Sequence, residues 1–142
     1  MQENCRIEGG IAVGETNREK TIIIVGASTK RDKFSNKAVR AYRGIGWTVY
    51  PVHPTEKTIE GLACYPTIEE VPGPAATLSL YVPPQVGIKL IDAAPAKSVQ
   101  DVFVNPGAGS PELVARIREL GMNPIEACSI VAMGKVPGDF DS

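Results

Sequence analysis

A short loop after the first strongly apolar segment of the chain contains the residue types that a phosphate group binds. Residues 26–30 read Gly-Ala-Ser-Thr-Lys. The glycine permits close approach to the backbone, and Ser28 and Thr29 supply small hydroxyl groups. A helix beginning after the loop would direct the positive end of its dipole at an anion. The pattern predicts a phosphate site; the alternative is a tight strand-to-helix turn that binds no ligand.

The residues around this loop lack two features of NAD sites, and their basic charge favours a ligand with more than one phosphate. A full dinucleotide motif needs glycine at positions 28 and 31, which hold Ser28 and Arg31. NAD sites also place Asp or Glu at the end of the second strand, where this chain has Val52, His53 and Pro54. The basic residues closest to the loop are candidate phosphate ligands, namely Lys30, Arg31 and Lys33. Three further basic residues are expected to form a solvated helix face: Lys37, Arg40 and Arg43.

Cysteine and histidine are too few and too widely spaced for a metal site or a disulfide framework. The chain has one histidine, His53, and three cysteines, Cys5, Cys64 and Cys128. We therefore predict no metal and free thiols, with Cys64 and Cys128 as small buried apolar residues. His53 stands beside Pro54 without an identifiable nucleophile or carboxylate partner. We expect a polar wall residue there and identify no catalytic residue.

Strand and helix patterns alternate along the chain and predict the frame that positions these loops. The predicted strands are residues 21–25, 47–52, 62–65, 77–82, 102–104 and one within 124–133. The predicted helices are residues 34–43, a brief helix started by the Thr67-x-x-Glu70 capping box, 83–94, and 111–120 with Ser110 as its cap. The alternation predicts an α/β protein, a Rossmann-like three-layer sandwich with a mostly parallel sheet of about five strands. Because ligands bind outside the carboxyl ends of such strands, the loops after the strands should converge on one crevice.

Length, composition and charge limit the class of protein. A chain of 142 residues with 43% apolar and 22% charged residues fits one globular domain. We divide it into a flexible arm at 1–19, a domain at 20–135 and a tail at 136–142. The formal net charge of −1 gives no reason to expect nucleic acid or a membrane as partner. The N-terminal residues lack the pattern of a signal peptide, which predicts a cytoplasmic protein.

The order of these segments resembles the CoA-binding protein family of small single-domain proteins. The similarity extends over residues 21–133 and includes the segments 26–28, 49–54, 61–72, 81–84 and 104–107. The segment Tyr81-Val82-Pro83-Pro84 also resembles the N-terminal CoA-binding domain of the succinyl-CoA synthetase alpha subunit.

This resemblance implies coenzyme A as the ligand, with its ADP portion over the strand ends. The loop 26–28 would meet the phosphates, 53–54 would form the far wall, 82–84 would meet the adenine, and 105–107 would flank the exit of the pantetheine. With the two lysines beside the loop, the expected ligand-binding residues are Gly26, Ala27, Ser28, Lys30, Lys33, His53, Pro54, Val82, Pro83, Pro84, Asn105, Pro106 and Gly107.

The leading functional hypothesis is a non-catalytic module that binds CoA or an acyl-CoA. Such a module would present its ligand to a protein partner or respond to the ligand's level. One alternative is an accessory CoA-binding subunit of an acyl-CoA synthetase. The other is an NAD(P)-binding protein, against which the missing glycines and the missing acidic residue weigh.

Overall fold

Five parallel strands form the central sheet of the protein in a computed structural model, which describes residues 18–132 and 134. In chain order the strands are β1 (Thr21–Val25), β2 (Thr48–Val52), β3 (Thr58–Ile59), β4 (Leu62–Ala63), β5 (Thr77–Leu80), β6 (Asp101–Val104) and β7 (Asn123–Ile125). The sheet has the order β2-β1-β5-β6-β7, while β3 and β4 pair only with each other as an antiparallel hairpin. Every pairing within the five-stranded sheet is parallel. The predicted α/β sheet is therefore confirmed.

Helices cover both faces of this sheet. They are α1 (Phe34–Gly44), α2 (Pro84–Leu90), a 3₁₀ helix (Ile91–Lys97), α3 (Pro111–Glu119) and α4 (Ser129–Ala132). Successive side chains of a strand point to opposite faces, and both faces of β1 are buried. Ile22 and Ile24 pack in a core with α1 and α4. Ile23 and Val25 pack in a second core with the 3₁₀ helix and α3. The protein is thus the expected three-layer sandwich.

The strand order reverses beside β1, and this reversal locates a crevice. The chain leaves β1 for β2 on one side of it and later returns to β5 on the other side. In open parallel sheets, ligands bind at such a point outside the carboxyl ends of the strands. The loops after β1, β2, β5 and β6 all lie at that edge, because the strands are parallel.

The brief helix expected after Thr67 is absent. The Thr67-x-x-Glu70 motif makes its capping contact, in which the Glu70 amide donates to Thr67 Oγ1 at 3.3 Å, but only a turn follows. Prolines at 72 and 74 supply no backbone N–H, so a helix cannot continue there. The short strand expected at 62–65 is present at Leu62–Ala63, where it pairs with β3, and Tyr65 forms a single parallel bridge to Val52 of β2. The sequence pattern did not indicate the partner strand β3.

The basic surface of α1 is not the solvated face that we expected. Lys37 is only 7% exposed. Arg40 is half-buried, and its guanidinium donates to Asn36 Oδ1 and to the Arg31 carbonyl, both at 2.8 Å. Arg43 is exposed and donates to the Glu60 carbonyl. The β3–β4 hairpin covers this side of α1 and supplies hydrogen-bond acceptors to it.

The predicted arm and tail fall almost wholly outside the described residues. This applies to Cys5 and to the tail at 136–142. Of the arm, Arg18 and Glu19 are described, and the Arg18 guanidinium donates to the Ser98 carbonyl at 2.9 Å. No helix of the described chain is both long and apolar enough to span a membrane.

Candidate functional site

The loop after β1 is in direct contact with the ends of its two neighbouring strands. The amides of Gly26 and Ala27 both donate to the Val52 carbonyl, at 3.0 and 3.2 Å. On the other side, a Cβ atom placed on Gly26 would lie 2.8 Å from Val82 Cγ1 and 2.9 Å from the Tyr81 carbonyl oxygen. Gly26 also has φ +87°, which L side chains rarely adopt. The loops after β1, β2 and β5 therefore meet at Gly26.

The next residues of this loop keep free backbone donors. Ser28 Oγ accepts from the Lys30 amide at 3.0 Å. Within the described part of the chain, the amides of Ser28 and Thr29 donate to no protein group. The phosphate pattern of residues 26–30 thus divides into two halves: Gly26 and Ala27 hold the turn together, and Ser28 and Thr29 present open N–H groups.

The N-terminus of α1 follows the loop without a capping side chain. Lys33 stands at the cap position and makes no side-chain capping bond, and the first turn holds no acidic residue. The first N–H groups of a helix without a cap attract anions. Lys30 and Lys33 are exposed beside this helix end, and in the described chain neither amine has an ion-pair partner. The local charge is therefore positive.

Asn36 and Glu60 hold the loop in place, although the sequence analysis singled out neither. Asn36 is fully buried, and its Nδ2 donates to the Ser28 carbonyl at 2.8 Å and to the Glu60 carboxylate at 3.1 Å. That carboxylate also accepts from Arg31 at 2.7 Å. Arg31 is therefore paired and a weaker phosphate candidate than Lys30. Glu60 lies in the β3–β4 turn, which the helical and strand patterns did not reveal.

His53 shapes the loop after β2. Its Nδ1 accepts from the amides of Thr55 and Glu56, both at 3.1 Å, and its own amide donates to the Tyr65 carbonyl at 3.0 Å. A neutral imidazole that accepts at Nδ1 carries its proton on Nε2. Pro54 follows and is exposed. The ring thus serves as a turn cap with one N–H left to donate.

The loop after β5 becomes the first turn of a helix. Val82 lies against the Gly26 position. Pro83 is the residue before α2, and its carbonyl accepts from the amides of Val86 and Gly87 at 2.9 Å each. Pro84 is the first residue of α2, where a missing N–H costs nothing. The two prolines give this wall a fixed backbone next to the loop after β1.

The Asn105 side chain makes three hydrogen bonds inside the protein. It is 3% exposed, and its Nδ2 donates to Ser79 Oγ at 2.7 Å and to the Leu80 carbonyl at 2.8 Å. Its Oδ1 accepts from the Ser129 amide at 2.9 Å. These three bonds tie the end of β6 to β5 and to α4. The Asn105 side chain thereby fixes the position of Pro106 and Gly107, which are exposed beside it.

The Asn105 bonds belong to a buried hydroxyl network around Ser129. Ser129 Oγ bonds to Ser79 Oγ at 3.0 Å and to the Tyr81 hydroxyl at 2.9 Å, while Tyr42 donates to the Ser129 carbonyl at 2.9 Å. Burial raises the pKa of Tyr42 and of Tyr81 to about 12. The network stays neutral and fixes α4 to the strand ends.

Two cavities adjoin Asn105 and Pro106. The larger, of about 550 Å³, is also lined by Gly107, Ser110 and Glu126. The smaller, of about 300 Å³, lies between Phe34, Tyr81, Asn105, Pro106, Cys128 and Val131. We call the smaller cavity the apolar pocket. Asn105 and Pro106 were among the predicted ligand-binding residues, whereas Phe34 and Val131 were not, because Phe34 has the helical spacing of a buried residue of α1.

The cysteines differ from expectation. Cys64 and Cys128 are both free and half-buried rather than buried. Burial raises the pKa of the Cys64 thiol, which lowers its fraction of nucleophilic thiolate at neutral pH. Over the described residues, no three His, Cys, Asp or Glu side chains are grouped in a way that could hold a metal ion.

Comparison with known proteins places this arrangement among CoA-related chains. A family model described as a CoA binding domain matches residues 20–134. The chain is 28% identical to acetate-CoA ligase (ADP-forming) I of Archaeoglobus fulgidus over 85 residues. That match covers 60% of this chain and only 12% of the ligase.

Solved structures contain the same fold in two settings. A conserved hypothetical protein from Pyrococcus furiosus is 27% identical, with a TM-score of 0.70 over 81% of this chain and 98% of that chain. The dinucleotide-forming acetyl-coenzyme A synthetase 1 of Ca. Korarchaeum cryptofilum is 26% identical, with a TM-score of 0.69 over 83% of this chain and 28% of that chain. The fold thus makes up nearly all of one protein and about a quarter of another.

Proposed function

Because this chain belongs to the CoA-binding domain family, matched over residues 20–134, we propose that it binds coenzyme A or an acyl-CoA through the ADP portion. The observation that carries the proposal is the pair of open amides at Ser28 and Thr29. They lie beside a helix N-terminus without a side-chain cap and beside two lysines, Lys30 and Lys33, that have no ion-pair partner among residues 18–132. This combination favours a ligand with several phosphates.

The pyrophosphate lies at the Ser28 and Thr29 amides and the start of α1 in this proposal. Lys30 and Lys33 neutralise its charge. Gly26 and Ala27 shape the loop, since their own amides are bonded to the Val52 carbonyl.

The remaining predicted residues form the walls. His53 and Pro54 border one side and offer the Nε2–H as a donor, while residues 82–84 give an apolar, rigid surface for the adenine. Pro106 and Gly107 border the path of the pantetheine, at the position that Asn105 fixes. The protein acts here as a cytoplasmic binding module without catalytic residues of its own.

A second candidate is the CoA-binding part of an acyl-CoA synthetase that another chain completes. The match to part of an ADP-forming acetate-CoA ligase favours it. Affinity purification of the tagged protein from its native cells distinguishes the two candidates. A stoichiometric ligase partner supports the synthetase, and a protein recovered alone with bound CoA supports the module.

Calorimetric titration with CoA, dephospho-CoA, NAD and NADP tests the ligand. We expect CoA to bind most tightly; at a hundred times its Kd it should stabilise the fold by about 2.7 kcal/mol. Binding of NAD or NADP in preference to CoA would overturn the proposal.

Two matched pairs of variants test the placement of the phosphates. Ser28→Glu puts a carboxylate at the open amides and should abolish CoA binding, whereas Thr48→Glu, at the exposed amino end of β2, should not. Lys30→Glu should weaken binding, whereas Lys89→Glu, exposed in the last turn of α2, should leave it unchanged. Equal effects within either pair would refute this placement of the pyrophosphate.

A further inference from the structure

Among the described residues, the two most exposed large apolar side chains lie at the same pocket. Phe34 is 56% and Val131 is 58% exposed, and both line the apolar pocket of about 300 Å³. Phe34 is the first residue of α1 and Val131 belongs to α4, so two separate helices bring them together. Exposed apolar groups that cluster at a cavity mark a binding surface.

The polar side chains in the pocket wall already direct hydrogen bonds into the protein. Asn105 uses its amide nitrogen for Ser79 and Leu80 and its oxygen for Ser129. The Tyr81 hydroxyl is bonded to Ser129 Oγ. A polar ligand group entering the pocket would therefore lose hydrogen bonds to water and find few replacements in the pocket wall. An apolar group would lose nothing and would bury the Phe34 and Val131 side chains.

The pocket adjoins the proposed path of coenzyme A at both ends. Phe34 directly follows Lys33, at the helix end assigned to the pyrophosphate. Asn105 and Pro106 line both the apolar pocket and the larger cavity beside Gly107, which is assigned to the pantetheine. A group attached to the thiol end of CoA can reach the pocket from that cavity.

We propose that the apolar pocket receives the acyl chain of a short- or medium-chain acyl-CoA, so that the protein prefers an acyl-CoA over free CoA. This inference rests on the proposed function. The volume of about 300 Å³ lies at the lower end for small-molecule sites, which favours short and medium chains over long ones. Because Asn105 and Tyr81 already direct hydrogen bonds into the protein, the pocket favours plain alkyl chains over hydroxylated or carboxylated ones.

Calorimetric titration with CoA and with acetyl-, butyryl-, hexanoyl- and octanoyl-CoA tests the pocket. Each buried methylene should raise the affinity by about fourfold, until the pocket is full and the affinity levels off. A series in which every acyl-CoA binds as CoA does would overturn the inference and leave the proposed function intact. All titrations contain a reductant, because Cys128 lines the pocket and free CoA carries a thiol.

A matched pair of variants localises the effect. Val131→Asn makes the pocket mouth polar without adding a charge near the phosphates, and it should lower the ratio of hexanoyl-CoA to CoA affinity by at least fourfold. Ile45→Asn is the control, because Ile45 is 44% exposed at the far end of α1 and is not among the pocket residues. The same ratio in both variants would refute the location of the acyl chain.

Hexanoyl-pantetheine, which lacks the ADP portion, separates this inference from the proposed function. If CoA does not bind but hexanoyl-pantetheine does, and Val131→Asn weakens it, the pocket assignment holds and the ADP site is wrong. If neither compound binds, both are wrong.

Discussion

Replacing Gly26 by alanine should destabilise the protein through two separable effects. The first is backbone strain, because Gly26 has φ +87° and a non-glycine residue in a left-handed conformation costs about 1–2 kcal/mol. The second is a steric clash with the end of β5. The new Cβ would lie 2.8 Å from Val82 Cγ1 and 2.9 and 3.0 Å from the Tyr81 carbonyl atoms. Overpacking of this kind costs about 1–3 kcal/mol, so the total loss should be about 2–5 kcal/mol.

Gly46→Ala introduces the same backbone strain without the steric clash. Gly46 has φ +89°, and a Cβ there would meet no atom within 4 Å. Urea denaturation of both variants and the parent protein should give a loss of about 1–2 kcal/mol for Gly46→Ala and a further loss of about 1–3 kcal/mol for Gly26→Ala. CoA affinity should fall only in Gly26→Ala, since only that clash displaces the loop. Equal destabilisation by the two substitutions would refute the argument that β5 restricts this position.

Three further predictions concern the network and the helices behind the site. Asn105→Ala breaks three buried hydrogen bonds and should lower the free energy of unfolding by about 3 kcal/mol. Asn123→Ala, which breaks an exposed bond, should change it by at most about 0.5 kcal/mol. A similar loss in both would contradict the role of the buried network. Ser110→Ala removes the bond to the Leu113 amide at 3.1 Å and should cost about 1 kcal/mol in urea denaturation, with recovery in Ser110→Asp. Burial raises the pKa of Tyr42 and of Tyr81 from 10.0 to about 12, so their contribution to stability is present below pH 10 and is lost as the pH rises towards 12. Urea midpoints should fall over that range, less steeply in Tyr42→Phe, and a flat profile would contradict the burial argument.

The sheet and most of its helices could be predicted because their signals are local. The run at 21–25 is a threonine followed by four apolar β-branched residues, a pattern typical of a strand buried on both faces. Ser110 and Pro111 mark the start of α3, and the structure confirms the predicted cap. The position of the loops follows from the parallel strands, since all carboxyl ends share one edge.

The contacts that complete the site depend on residues far apart in the chain. Glu60 receives hydrogen bonds from Arg31 and Asn36, which precede it by 29 and 24 residues. No periodicity connects those positions, and the hairpin that carries Glu60 is only two residues long on each side. Phe34 follows the helical spacing of a buried residue, yet it is 56% exposed at the first residue of α1.

The structure gives Gly26 of the phosphate loop a packing role. Gly26 is required by the approach of β5 whether or not a ligand binds, and its amide and that of Ala27 are already satisfied by Val52. A glycine after the first strand is therefore evidence of packing. The signal for an anion lies two residues further on, where Ser28 and Thr29 present donors that no described residue uses. Because Asn36 holds the Ser28 carbonyl at 2.8 Å, these donors are fixed in direction before any ligand arrives. Binding then costs less ordering of the loop, so Asn36→Ala should weaken CoA binding although Asn36 touches no phosphate.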